Sequence, residues 1–116
     1  MDCQEVGFVA ENTDKIALTE AVYYILLSLY TPLHGYGIMQ NVLNISEGRV
    51  NLAAGTLYGA LTTLQEKSWI VSLEDDDNSR KKMYQITDMG KAAVNIEIKR
   101  LEELVSNGYK VVGRQV

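Results

Sequence analysis

The chain has 116 residues, of which 47% are hydrophobic, a length and composition that fit one domain with a packed core and exclude a disordered chain. Its longest apolar run, residues 21–30, is about half as long as a membrane helix requires, and its acidic N-terminus lacks the features of a signal peptide, so we expect a cytoplasmic protein with no membrane partner. The formal net charge of −4 disfavours a nucleic-acid partner, although the ten bases of residues 49–116, against one in residues 1–48, weaken that objection.

Residues 1–13 show little periodicity and are expected to form a loose tail. The first helix is predicted for residues 15–30, because apolar side chains recur there at helical spacing. Its other faces also carry apolar groups, Tyr23 and Leu27 among them, so the helix is apolar nearly all round. We therefore expect this helix to be buried on two sides, with a second subunit packed against the second side.

A second helix is predicted from about His34 to Ile45, after the break at Thr31-Pro32. Residues 46–48 end it, and the alternation in residues 49–52 predicts a short extended segment.

The third helix is predicted to contain GTLYGALTTL, residues 55–64, and to continue to about residue 67. Its leucines, Leu57, Leu61 and Leu64, form one face, and the remaining positions carry small or hydroxyl-bearing side chains without charge. Small side chains let a helix approach the floor of a DNA groove, although a generic buried helix explains this composition about as well.

A hairpin is predicted from two alternating segments, residues 69–74 and 82–86, which are separated by a polar, turn-forming stretch. Arg80, Lys81 and Lys82 lie at or beside its tip. The aspartates at 75–77 lack the spacing of a calcium loop, so we interpret them as a solvated tip that offsets part of the attraction of the bases for phosphate.

Thr87-Asp88 predicts the start of a final helix, which Gly108 is expected to end. One face near its start is assigned to the packing of its own domain, and it consists of Met89, Ala92, Ala93 and Ile96. A later face is assigned to a partner subunit, and it consists of Val94, Ile98, Leu101 and Val105.

The order of these elements predicts a mainly α-helical fold with a small β-hairpin, a winged helix-turn-helix followed by a C-terminal dimerisation helix. We expect a tail at residues 1–13, a DNA-binding domain at 14–87, the dimerisation helix at 88–110 and a second tail at 111–116.

The residues do not indicate an enzyme. His34 is the single histidine and Cys3 the single cysteine, too few for the common metal sites. The glycine patterns of nucleotide-binding loops and of nucleophile elbows are missing. We therefore expect no catalytic residues, no metal and no cofactor.

Three segments, in this order and spacing, resemble the PadR family of winged-helix transcriptional regulators: LTEAVYYILLSLYTPLHGYGIMQNV, AGTLYGALTTLQEKSWI and RKKMYQITDMGK. The resemblance covers roughly residues 16–110. It implies a homodimer that binds a palindromic operator in double-stranded DNA, usually as a repressor. In many members a small aromatic or drug-like compound releases the protein from DNA.

Residue roles follow from the same resemblance. Tyr58 matches the tyrosine that reaches the DNA backbone, residues 80–82 with Tyr84 match the basic wing and its following strand, and the last helix matches the dimerisation helix, which helix 1 joins. The chain departs from the family at Gly59, where proline is frequent, and at Ser68, where glycine is usual. Alanines at 53 and 54 replace polar residues, so Asn51 is expected to cap the third helix.

The predicted sites are therefore three. The candidate DNA-binding residues are Tyr36, Asn51, Ala53, Ala54, Thr56, Tyr58, Thr62, Arg80, Lys81 and Lys82. The candidate dimer interface consists of Val22, Leu26, Val94, Ile98, Leu101 and Val105. A candidate effector pocket is lined by Tyr23, Tyr24, Leu27, Tyr30, Ile98 and Leu101, although these tyrosines could simply pack. Trp69 is expected in the core, and the alternative function is a winged-helix protein-interaction module that does not bind DNA.

Overall fold

The computed structural model describes residues 17–73 and 82–113. Within them the first helix, α1, spans Glu20–Ser28, shorter than the predicted 15–30. Thr19 begins it, since its hydroxyl oxygen accepts a hydrogen bond from the Val22 N–H at 3.1 Å. No helix of the described ranges is long and apolar enough to cross a membrane.

A two-residue strand, β1, follows Pro32 and spans Leu33–His34. It leads directly into helix α2, Gly35–Ile45, where the His34 side chain accepts a hydrogen bond from the Gly37 N–H at 3.3 Å. The predicted extended segment at 49–52 does not form a strand. It follows a turn at residues 46–48, where the Ser46 hydroxyl donates to the Val42 carbonyl at 2.7 Å and accepts from the Val50 N–H at 3.0 Å.

Helix α3 spans Ala54–Glu66 and buries the predicted leucine stripe, Leu57, Leu61 and Leu64. Ser68, the second residue after the helix, adopts a left-handed backbone with φ of 64°. The Ser68 and Trp69 N–H groups donate to the carbonyls of Gln65 and Leu64 at 2.9 and 3.0 Å and so close the last turn. The unusual serine at this position therefore occupies a conformation that favours glycine.

Three strands form one antiparallel sheet in the order β1-β3-β2, with β2 at Ile70–Leu73 and β3 at Met83–Ile86. Ile70 pairs with Ile86 at one end of the hairpin and Leu73 with Met83 at the other, which fixes its register. The predicted hairpin is therefore present, and we call it the wing. Its predicted tip, with Arg80 and Lys81, lies outside the described residues.

Helix α4 spans Asp88–Val112, so the prediction that Gly108 ends it is wrong. Gly108 is helical, and the end comes at Gly113, whose φ is 80° and whose N–H donates to the Tyr109 carbonyl at 2.8 Å. An isolated glycine weakens a helix without stopping it.

The face by which α4 packs also differs from the prediction. Met89 and Ile96, expected inside, are 57% and 40% exposed. Ala92 is exposed as well, and of the predicted face only Ala93 is buried; the other buried positions near the start of α4 are Gly90, Val94 and Glu97. Gly90 explains the choice, because a Cβ there would overlap the Trp69 carbonyl oxygen and lie 2.6 Å from Ile86 Cγ1. The backbone of α4 thus touches the start of the wing on the glycine side.

The chain divides into two compact units. The unit at residues 18–94 contains the helix-turn-helix pair α2 and α3, the sheet and a continuous apolar core. That core includes Ile25, Leu26, Leu29, Ile38, Val42, Leu57, Leu61, Leu64 and Ile70. The described part of the other unit is Ala17 and residues 95–113, the distal part of α4. The boundary between the two units lies within α4, between residues 94 and 95, whereas the predicted domain boundary lies before α4, between residues 87 and 88.

Candidate nucleic-acid interface

The exposed face of α3 carries no charge over its first three turns. Gly55, Gly59, Thr62 and Thr63 lie opposite the buried leucines and are exposed. A Cβ built at Gly55 or Gly59 would meet no atom within 4 Å, so packing within the described chain does not require either glycine. These positions form a smooth surface that another molecule can approach closely.

The N-terminus of α3 is uncapped. Ala53 occupies the cap position without a side-chain hydrogen bond, and the first turn contains no acidic residue. The prediction that Asn51 caps this helix is therefore wrong, although Asn51 is exposed beside it. Exposed N–H groups at a helix N-terminus carry partial positive charge and bind anions such as phosphate.

The threonine hydroxyls of α3 are directed at their own helix. Thr62 donates to the Tyr58 carbonyl at 3.0 Å and Thr63 to the Gly59 carbonyl at 3.3 Å. Their oxygens keep free acceptor capacity, but their protons are not available for donation to phosphate in this conformation. Thr56 is exposed in the first turn.

Tyr58 lies at the edge of this surface, against the start of α2. Its side chain is 48% exposed, yet it lies so close to Gly35 that a Cβ on Gly35 would overlap its hydroxyl oxygen and lie 2.8 Å from its Cζ. Tyr84 of β3 is buried nearby; burial raises the pKa of its phenol, and the neighbouring Tyr58 raises it further. Tyr36, the next residue of α2, is 64% exposed. The role of Gly35 escaped the sequence reasoning, although a glycine at a predicted helix start was its signal.

Positive charge is sparse around these elements. Of the four bases in residues 18–73 and 82–94, Arg49 is bonded to Glu20 at 3.0 and 2.6 Å, Lys67 lies over the Trp69 ring and Lys91 over the Tyr30 ring. Lys82 is exposed directly before β3 and has no acidic or aromatic partner in the part of the chain that is described. The predicted bases Arg80 and Lys81 cannot be placed because they lie outside the described residues.

The distal part of α4 exposes a row of large apolar side chains. Leu101, Leu104, Val105 and Val112 are exposed and continue, at helical spacing, the face that is buried earlier in the helix. We call these four residues the α4 stripe. Two residues of the predicted dimer interface do not fit beside it, since Leu26 is 0% and Val94 is 2% exposed within the single chain. They belong to the core of their own unit, whereas Val22 and Ile98 are half-buried.

The tyrosines predicted for an effector pocket lie on α1 and just after it. The rings of Tyr23 and Tyr24 are 6.0 Å apart and tilted by 57°. Tyr30 is exposed and already carries the Lys91 ammonium 5.5 Å from its ring centroid. Leu27 is half-buried beside them.

These features define the class of the protein. Helix-turn-helix, sheet and wing, followed by one long helix, are the architecture of a winged helix-turn-helix protein, which confirms the predicted fold class. The family model of the PadR-like transcriptional regulators matches residues 23–96, more than half of the chain. The chain therefore belongs to this family, and it is a transcriptional regulator and not an enzyme.

Solved structures share the fold over three quarters or more of the chain. A PadR family transcriptional regulator from Eggerthella lenta has a TM-score of 0.68 at 20% identity and covers 96% of this chain and 95% of its own. A transcriptional regulator from Clostridium thermocellum has a TM-score of 0.65 at 20% identity, with 91% and 98% covered. A PadR family regulator from Clostridium difficile has a TM-score of 0.58 at 24% identity, with 76% and 96% covered. No curated protein sequence matches significantly.

Proposed function

We propose that the protein is a homodimeric, sequence-specific DNA-binding repressor that acts in the cytoplasm on a palindromic operator. Family membership supports DNA-binding regulation. The observation that carries the assignment of the surface is the smooth, uncharged face of α3 with its uncapped N-terminus. In a two-fold dimer, two such helices would enter major grooves about one DNA turn or more apart.

In this proposal the N-terminal part of α3 enters the groove. The N–H groups of the first turn would bind a phosphate, which supplies the cap that Ala53 lacks. Ala54 and Thr56 lie there without bulk or charge to prevent close approach, and Asn51 supplies an amide that can read a base edge. Tyr58 and Tyr36 flank this position and would donate their hydroxyls to the DNA backbone. Thr62, one turn further on, would offer its hydroxyl oxygen as an acceptor.

The wing supplies the positive charge that α3 lacks. Lys82, and with it Arg80 and Lys81, would contact the phosphates that flank the recognised groove. Since three of the other described bases of this unit are held by intrachain partners, the wing carries most of the salt-dependent attraction.

Dimerisation is proposed through the distal part of α4. The α4 stripe presents an apolar surface that water solvates poorly, and a second copy of the same helix would cover it. The interface retains Leu101, Val105 and Ile98 from the sequence prediction and adds Leu104 and Val112; Val22 of α1 stays a separate prediction. Leu104→Glu tests this interface and is expected to give monomers in sedimentation velocity. Lys99→Glu, an exposed position off the stripe, should leave the dimer intact.

Release by a small aromatic effector is the regulatory part of the proposal. The neighbouring tyrosine rings of α1 support it, because planar compounds can stack on aromatic faces. The predicted pocket comprises Tyr23, Tyr24, Leu27, Tyr30, Ile98 and Leu101. Thermal shifts against phenolic acids and planar cations would test it, since a ligand that binds the folded state raises the melting temperature. A flat response across the panel would remove the effector from the proposal.

The decisive experiment selects a duplex from a random-sequence library with the protein and measures its Kd by fluorescence anisotropy at several salt concentrations. Tyr58→Phe should weaken binding, and Lys82→Ala should weaken it and reduce the salt slope by about one. Lys110→Ala, which removes a base from α4, is the matched control and should leave the slope unchanged. Failure to enrich any duplex, or affinity independent of salt, would favour the alternative of a winged-helix protein-interaction module.

A further inference from the structure

Gly35 is an unexpected residue for the first position of a helix. Alanine forms helices more readily than glycine, and the backbone of Gly35 is not in the left-handed region that requires glycine. The residue is buried, so solvent exposure does not explain it either. The reason is steric and comes from another element.

The phenol of Tyr58 occupies the space that a side chain at position 35 would fill. A Cβ there would overlap the Tyr58 hydroxyl oxygen and lie 2.8 Å from Cζ and 3.4 Å from Cε1. The three nearest atoms all belong to this one ring. The clash is therefore specific to Tyr58 and not to the general packing of α2.

Tyr84 of the sheet interacts electrostatically with Tyr58. It lies in the central strand β3 and pairs with Leu33 of β1. Leu33 comes two residues before Gly35 in the sequence. Burial and the neighbouring Tyr58 both raise the pKa of the Tyr84 phenol. The Tyr58 ring is set against the start of α2 while its side chain stays half exposed.

We infer that Gly35 is a positioning residue for DNA binding, because its missing side chain allows the Tyr58 phenol to lie against the N-terminus of α2 in the orientation that contacts the DNA backbone. The inference rests on the proposed function of Tyr58. A side chain at position 35 would push the ring outward, along the path by which α3 approaches the groove.

A double-mutant cycle tests this inference with Gly35→Ala, Tyr58→Ala and the double variant, using the duplex selected from the random library. Gly35→Ala should weaken binding about tenfold in the wild-type background. In the Tyr58→Ala background the same change should alter Kd by less than about twofold, since the ring it displaces is gone. An equal loss in both backgrounds would overturn the inference, because a merely structural role lowers binding in both.

Thermal unfolding without DNA gives an independent readout. Gly35→Ala should lower the melting temperature in the wild-type background and raise it in the Tyr58→Ala background, where alanine only improves the helix. Gly59→Ala, at an open helical position, is the control and should raise it in both. A decrease in both backgrounds, or failure of the double variant to fold, would overturn the inference. If no duplex binds the wild type, the proposed function fails. The opposite changes in melting temperature in the two backgrounds would still decide whether Gly35 positions the Tyr58 ring.

Discussion

Gly59→Ala should stabilise the protein and weaken its binding to DNA. Gly59 lies in the interior of α3, and a Cβ there meets no atom within 4 Å, so the change gains the full difference in helix propensity. That difference is about 1 kcal/mol, which raises the melting temperature of a domain of this size by about 4–8 °C. The same methyl group projects from the face that we propose approaches the groove floor. Overpacking a close contact costs about 1–3 kcal/mol, on the order of 10- to 100-fold in Kd.

The assay pairs thermal unfolding with anisotropy titration against the selected duplex at one salt concentration. Asn44→Ala is the matched control, because Asn44 is an exposed position of α2 where alanine also improves helix propensity, by roughly half a kcal/mol. It should raise the melting temperature and leave Kd unchanged. If Gly59→Ala stabilised the protein and bound DNA as the wild type does, the exposed face of α3 would not be the surface that meets the groove.

Three further predictions concern stability. Ser68→Gly should raise the urea midpoint by an amount equivalent to about 1 kcal/mol, since Ser68 holds a φ of 64°, and a lower midpoint would contradict this account of the α3 terminus. Gly90→Ala should cost more than about 2 kcal/mol of unfolding free energy, because the new Cβ overlaps the Trp69 carbonyl, whereas Gly108→Ala, at an open helical position, should not destabilise. Burial raises the pKa of the Tyr84 phenol, so the contribution of this residue to stability is complete below pH about 10 and is lost as pH rises through the pKa of the folded state. Tyr84→Phe should flatten this alkaline decline in stability, measured by unfolding at a series of pH values. An unchanged decline would show that another group causes it.

The sequence was sufficient to predict an element where a single local pattern determines its structure. The leucines of α3 recur at helical spacing with no competing face, and they are buried as predicted. The hairpin of β2 and β3 follows from two alternating segments around a polar turn, and its strands pair antiparallel as predicted.

The errors arose where tertiary contacts decide between local alternatives. Residues 49–52 alternate as a strand would, but the hydroxyl of Ser46 forms hydrogen bonds that hold a turn. The two-residue strand at 33–34 exists only because β3 pairs with it, and two residues carry no periodicity. On α4, hydrophobicity favoured Met89 and Ile96 as the packing face, whereas the close approach to the Trp69 backbone selects the face of Gly90.

The exposure of the candidate site residues was predictable from the sequence, and their hydrogen bonding was less so. Tyr58 and Lys82 are exposed as the resemblance implied, yet the cap assigned to Asn51 does not form and the hydroxyl of Thr62 bonds its own helix. Gly35 was missed because its constraint comes from a ring 23 positions away in the sequence. Steric constraints of this kind have no local periodicity to reveal them.

The sparse positive charge makes dimerisation central to the proposed function. Each α3 offers backbone N–H groups and small side chains but no base, and three of the four described bases in its unit are held by intrachain partners. In the proposal, a single recognition unit would release few counterions beyond those displaced by its wing and would bind DNA weakly. Linking two units through the α4 stripe makes the second binding event intramolecular, which can raise overall affinity by on the order of 10²–10⁴ without any new contact. In the proposed dimer the apolar end of α4 thus supplies indirectly the affinity that charge supplies in more basic DNA-binding proteins, and the smooth face of α3 is left to discriminate between sequences.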